Sequence, residues 1–185
     1  MDQFRGRNTS HPASSDDAWF HRRSHRAEGN TMPITVHHDD LSSVEVQSLI
    51  AEHLAGMHSN TPSGHVHALA IENLQASGIT FWSARADGVL CGCGALKELD
   101  RLTGELKSMR TRAAFLRRGV GQAILDEIIR TACQRGYSRL LLETGAGRAF
   151  EPAHALYRRN GFEWCGPFGD YTATGCNVFM SKILI

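Results

Sequence analysis

The sequence predicts an α/β or α+β domain built on a mixed sheet, and three observations carry that expectation. Strand-type runs are mixed with runs of 3.6-residue periodicity along most of the chain. Ala86-Asp87-Gly88 joins two apolar β-type runs, a strong hairpin signal. Apolar types make up 42% and charged types 21%, near the globular average, which is enough to bury a core without disulfides or a metal. No apolar run approaches the ~18 residues of a membrane span. Twenty Lys and Arg against nineteen Asp and Glu leave +1, so no overall field draws the chain to nucleic acid or to an anionic membrane.

Residues 1–31 contain no Val, Leu or Ile. Such a segment buries too little apolar surface to offset its ordering entropy, so we expect a disordered extension over 1–32 and a folded domain over 33–185. Five Arg in it are interrupted by four acidic residues, which speaks against a nucleic-acid arm. His11, His21 and His25 have no metal spacing.

In the domain, residues 34–37 read as a first strand. Asp39 or Asp40 is placed to cap a helix carrying Val46, Leu49, Ile50, Leu54 and Met57. A loop over 58–66 and a short helix over 68–74 follow. Residues 79–85 and 89–96 form the hairpin, and Thr103-Gly104 turns the chain into a strand over 105–111. Gly119-Val120-Gly121 opens a helix bearing Ile124, Leu125, Ile128, Ile129 and Ala132 that stops at Gly136. A buried-type strand over 137–143 contains Leu140-Leu141-Leu142. Pro152 starts a helix that Gly161 ends, and strands over 162–165 and 177–183 close the pattern.

Five cysteines (Cys91, Cys93, Cys133, Cys165 and Cys176) form an odd, scattered set without zinc-ligand spacing. Cys91 and Cys93, two apart in a strand-like run, are expected on one face as buried core thiols. No metal is expected, and an absent apolar leader together with reduced thiols suggests the cytoplasm.

The most informative stretch runs from Glu105 through Arg117-Arg118-Gly119-Val120-Gly121: a strand leading into a basic, glycine-containing loop that opens a helix. Unpaired N–H groups and the positive dipole end there suit a phosphate, and Arg117 and Arg118 add charge. The Gly-Lys-Ser/Thr ending of a Walker loop is missing, and no third Gly completes a dinucleotide fingerprint.

Gly119-Val120-Gly121 after a strand resembles motif A of the GNAT (Gcn5-related) acyltransferases, written Q/R-x-x-G-x-G/A. Ala153-His154-Ala155-Leu156-Tyr157-Arg158-Arg159-Asn160-Gly161-Phe162 resembles the family's A-x-x-L-Y-x-x-x-G-F block. The resemblance extends over about residues 33–185. Leu116 stands where the family prefers Gln or Arg, and Phe150 stands where Asn is frequent.

The resemblance implies a mixed, mostly antiparallel sheet of six to seven strands with about four helices. That sheet would splay between two parallel strands, 105–111 and 137–143. Acetyl-CoA would lie in the splay, with Met109 and Thr111 offering backbone groups to its acetyl and pantetheine parts. Arg117, Arg118, Gly119, Val120, Gly121 and Gln122 would wrap its pyrophosphate. Tyr157 would protonate the departing thiolate, since a phenol of pKa near ~10 holds its proton at pH 7. Glu105 would act as general base, directly or through water, with His58, His65 and His67 as loop alternatives. The implied activity is acetylation of a primary amine on a small molecule or peptide by direct attack in a ternary complex; dimers are common among resembling proteins. A non-catalytic acyl-CoA-binding module is the alternative, and Tyr157 speaks for an enzyme. A ping-pong route through Cys91 or Cys93 is less attractive.

Overall fold

The computed structural model describes residues 33–60 and 71–184, all within the unit Met32–Ile185. The expectations for residues 1–32, His65 and His67 lie outside the described residues. Strand β1 (Ile34–His38) pairs antiparallel with β2 (Ile79–Ala86), which turns back into β3 (Val89–Asp100). The hairpin turn holds both of its central residues at positive φ, Asp87 at 47° and Gly88 at 79°, the geometry whose twist suits a two-residue loop. β4 (Thr103–Thr111) pairs antiparallel with β3, and β5 (Arg139–Gly145) pairs parallel with β4. β7 (Asn177–Ile183) inserts between β5 and the short β6 (Glu163–Cys165), giving one seven-stranded sheet in the order β1-β2-β3-β4-β5-β7-β6.

Among the described residues four α-helices accompany the sheet: α1 (Val44–Asn60), α2 (Ile71–Leu74), α3 (Val120–Gln134) and α4 (Glu151–Arg159). α1 continues through His58 to Asn60, where a loop was expected, and residues 61–70 lie outside the described residues. Its cap is Ser43, whose Oγ accepts from the Val46 N–H at 3.2 Å. Asp39 and Asp40, the expected caps, instead accept from the Leu41 and Ser42 N–H groups at 2.9 Å each. That completes the turn leading into the helix.

Each face of the sheet carries its own apolar cluster. α3 sets Val120, Ile124, Leu125 and Ile128 against Leu96, Leu106, Leu140 and Leu142. α1 sets Val46, Leu49 and Ile50 against Phe81, Cys93 and Ala95. α3 approaches β3 closely because Gly92 and Gly94 have no Cβ: one would stand 2.6 Å from a Val120 or Ile124 methyl carbon respectively. Gly104 serves packing too, where the sequence suggested a turn. A Cβ there would lie 2.7 Å from Leu96 Cδ1, and the turn itself falls at Arg101-Leu102.

The register of β2 and β3 corrects one expectation. Ala84 pairs with Gly92 and Arg85 with Leu90, which leaves Cys91 as the extra residue of a bulge. Cys91 therefore joins the α3-side cluster and Cys93 the α1-side cluster, on opposite faces. Both thiols are buried, and burial pushes Cys93 up to about 12.

Candidate active site

β4 and β5 pair with each other only from Thr103–Arg139 to Leu106–Leu142. Beyond that point β5 stays with β7 as far as Gly145, and β4 stays with β3 as far as Thr111. The two strands therefore diverge, and a cleft of about 480 Å³ opens between them. It lies beyond the carboxyl ends of the parallel pair, where α/β sheets commonly bind ligands. Lys107 to Thr111 line one side and Glu143 and Thr144 the other.

β4 does not run past the cleft as a regular strand. Ala95 pairs with Lys107 and Cys93 with Arg110, so three steps on β4 oppose two on β3. Ser108 absorbs the extra residue at φ +53°, and the bulge shifts which side chains face which layer. Met109 points toward α3, its Sδ 2.7 Å from where a Gly94 Cβ would be, while Arg110 reaches α1 beside Gly56.

The loop before α3 bends through Arg117 at φ +61° and Gly119 at φ +88°. The first N–H groups of this 15-residue helix have no intrahelical acceptor and sit at its positive end. Gly121 and Leu116 line the cleft; a Cβ on Gly121 would come within 3.3 Å of Leu156. Arg117 and Arg118 are exposed at this mouth, Arg118 lying 5.6 Å over the Phe115 ring. These groups suit a diphosphate, with the open strand edge continuing inward for a linear amide chain. At two of the expected residues the side chain is engaged elsewhere. The Val120 side chain is in the core, and the Gln122 amide exchanges hydrogen bonds with the Asn160 amide at 2.8 and 2.9 Å, tying α3 to the end of α4.

Tyr157 comes to the cleft from α4, its ring buried 5.7 Å from that of Phe162. Burial pushes its phenol well above the ordinary range, so it carries its proton at neutral pH. Phe150 fills the neighbouring wall by lying on Gly145, where a Cβ would be 2.2 Å from its ring.

Glu105 is buried, 1% exposed, and adjoins the cleft residue Lys107. It accepts from the Tyr171 hydroxyl at 2.5 Å, while Lys107 Nζ stands 3.3 Å from the same oxygen and donates to Tyr171 at 2.6 Å. Two cleft residues went unnoticed in the sequence. Glu143 is the carboxylate at the wall, raised above its usual range chiefly by burial. His53 of α1 is held down to about 4 by burial and then by Arg110 and Lys107, and so stays neutral at pH 7. The Ser108 hydroxyl, buried in the same wall, has no hydrogen-bond partner among the described residues.

Residues 47–162 match the acetyltransferase (GNAT) family. The chain belongs to the GNAT family. It is 51% identical over 146 residues to YsnE, an uncharacterised N-acetyltransferase of Bacillus subtilis (strain 168), covering 79% of this chain and 97% of that one. Among solved structures it is similar to a Klebsiella pneumoniae protein assigned as an acyl-CoA N-acyltransferase, with TM-score 0.68, 25% identity and coverage of 82% and 98%. The fold is shared with a GNAT acetyltransferase of Elizabethkingia anophelis solved with acetyl-CoA bound, with TM-score 0.53, 19% identity and the same coverages.

As a GNAT acetyltransferase the chain uses an acyl-CoA donor, and its splayed strands and helix start fit one. Met109, Thr111, Gly121 and Tyr157 share the cleft; Arg117 to Val120 lie in the chain between its lining residues Leu116 and Gly121, and Glu105 adjoins it through Lys107. Among the described residues no group of three or more His, Cys, Asp or Glu is arranged to hold a metal, and no helix is long and apolar enough to cross a membrane.

Proposed function

We propose that the enzyme transfers the acetyl group of acetyl-CoA to a primary amine of a small molecule or peptide, by direct attack in a ternary complex. The observation that carries this reading is the cleft itself: a buried, proton-bearing Tyr157 on the wall of a gap that begins at the α3 N-terminus. In this reading the α3 N–H groups and Arg117 and Arg118 hold the diphosphate. The β4 edge at Met109 and Thr111 aligns the pantetheine arm. A backbone N–H near Met109 meets the charge that develops on the carbonyl oxygen.

The amine lone pair forms the new C–N bond as the C–S bond breaks. Tyr157 gives its phenol proton to the departing sulfur, and a carboxylate takes the proton from the attacking nitrogen. Glu105 fills that base role through a water or the Tyr171 hydroxyl that donates to it, and Glu143 is the carboxylate on the cleft wall itself. The high Cys93 thiol pKa leaves little thiolate at neutral pH, which favours direct attack over an acetyl-cysteine intermediate. We place the activity in the cytoplasm. Screening an amine library for acetyl-CoA-dependent thiol release tests the reading: release that depends on an amine supports it, and release indifferent to every amine contradicts it.

A further inference from the structure

The α1 face of β4 carries Glu105, Lys107 and Arg110, because the bulge at Ser108 sets Arg110 rather than Met109 on that side. These three side chains end differently. Glu105 and Lys107 close on each other and on Tyr171. Among the described residues no carboxylate forms an ion pair with Arg110, and its Nε is buried with no hydrogen-bond partner. The guanidinium lines the cleft and lies against α1, 3.5 Å from where a Gly56 Cβ would be.

Buried charged donors are ordinarily paired, since leaving one unmade is costly. Among the described residues α1 brings no ion pair to this charge, and His53 stays neutral under the same positive surroundings. On the opposite strand Glu143 supplies the wall's carboxylate. The cleft thus presents a guanidinium on β4 and a carboxyl group on β5. The donor, held at the start of α3, leaves the α1 side to the acceptor.

We infer that the acceptor is an amine that also bears a carboxylate, with Arg110 receiving the carboxylate and Glu143 the amino group. This rests on the transfer reading above and narrows its acceptor class. The guanidinium offers a planar fork of N–H donors that a carboxylate matches with two parallel hydrogen bonds. A polyamine would instead bring a second cation toward Arg110 and Lys107.

Calorimetry on the full chain saturated with CoA tests the inference without turnover. The probes are L-leucine, L-phenylalanine and β-alanine, each beside its carboxamide and its decarboxylated amine. At least one acid should bind ~10–100-fold more tightly than its amide, the value of a charge-assisted hydrogen-bonded pair. Arg110→Gln should bring that ratio near one. Gly56→Asp sets a competing carboxylate beside the guanidinium and should do the same in a chain whose melting shows it folded. Amides that bind as well as acids, or a preference that survives both variants, would overturn the inference. Thiol release with decarboxylated amines as efficient as with acids would overturn it too and leave the transfer reading standing. A carboxylate preference in binding without thiol release from any probe would support it while contradicting the transfer reading.

Discussion

Replacing Tyr157 by Phe separates chemistry from packing at this site. The ring is buried against Phe162, and no hydrogen bond among the described residues uses its hydroxyl. Removing the hydroxyl therefore costs the fold little, within about 1 kcal/mol, the typical worth of one hydrogen bond. Losing a general acid typically costs ~10²–10⁴-fold in rate, or about 3–5 kcal/mol of barrier. The assay measures kcat by thiol release, acetyl-CoA affinity by calorimetry and stability by melting. We expect kcat to fall in that range with the other two nearly unchanged. The pH profile adds an independent check: burial raises the phenol pKa, so wild-type activity should not decline through loss of this proton below its ordinary pKa of ~10. A variant that turns over like the parent would refute the role of Tyr157 as acid. A variant that loses affinity but keeps kcat would show a hydrogen bond made equally in ground and transition states.

Other perturbations read other parts of the account. Glu105→Gln leaves the Lys107 ammonium buried without its carboxylate, so it should destabilise the fold by about 3–5 kcal/mol as well as slow turnover. Glu143→Gln should lower kcat/KM while nearly keeping the melting temperature; equal melting losses would contradict the distinction. Gly119→Val forces a β-branched residue into φ +88°, a strain of about 1–3 kcal/mol; acetyl-CoA should bind more weakly, and unchanged affinity in the folded variant would remove this loop from the donor site. His53 has its pKa lowered to about 4 from 6.5. The unfolded chain binds a proton below pH 6.5 that the folded chain refuses until about 4. Stability should therefore fall as pH drops through that window, by at most about 1.4 kcal/mol per pH unit. His53→Gln should flatten this loss in urea titrations at pH 7 and 4.5, and an unaltered slope would count against it.

Where local pattern decided the structure, the sequence was readable. Ile124, Leu125 and Ile128 mark the buried face of α3, the Asp87-Gly88 turn makes the β2–β3 hairpin, and β7 spans the expected residues. Bulges escaped notice because each is a mismatch between two strands, which neither strand encodes alone. The one at Cys91 separates two thiols expected together, and the one at Ser108 turns Arg110 toward α1. Tyr171 was missed because its bonds to Glu105 and Lys107 join residues more than 60 positions apart. Glu143 ends the Leu140-Leu141-Leu142 run, and its importance follows from β5 parting from β4 after Leu142. A carboxylate at the carboxyl end of a buried parallel strand was the signal available. Gln122 follows the glycine motif directly, yet its side chain serves α4.

In the proposed mechanism the cleft between β4 and β5 transfers an acetyl group from acetyl-CoA directly to an amine. The most direct measurement follows thiol release and acceptor mass together in one reaction, with wild type and Tyr157→Phe side by side. One acetyl amide should form for each thiol released, both dependent on the amine and both slowed together in the variant. Thiol release without acetylated amine, or acetyl found on a cysteine of the enzyme and passed on from there, would contradict it.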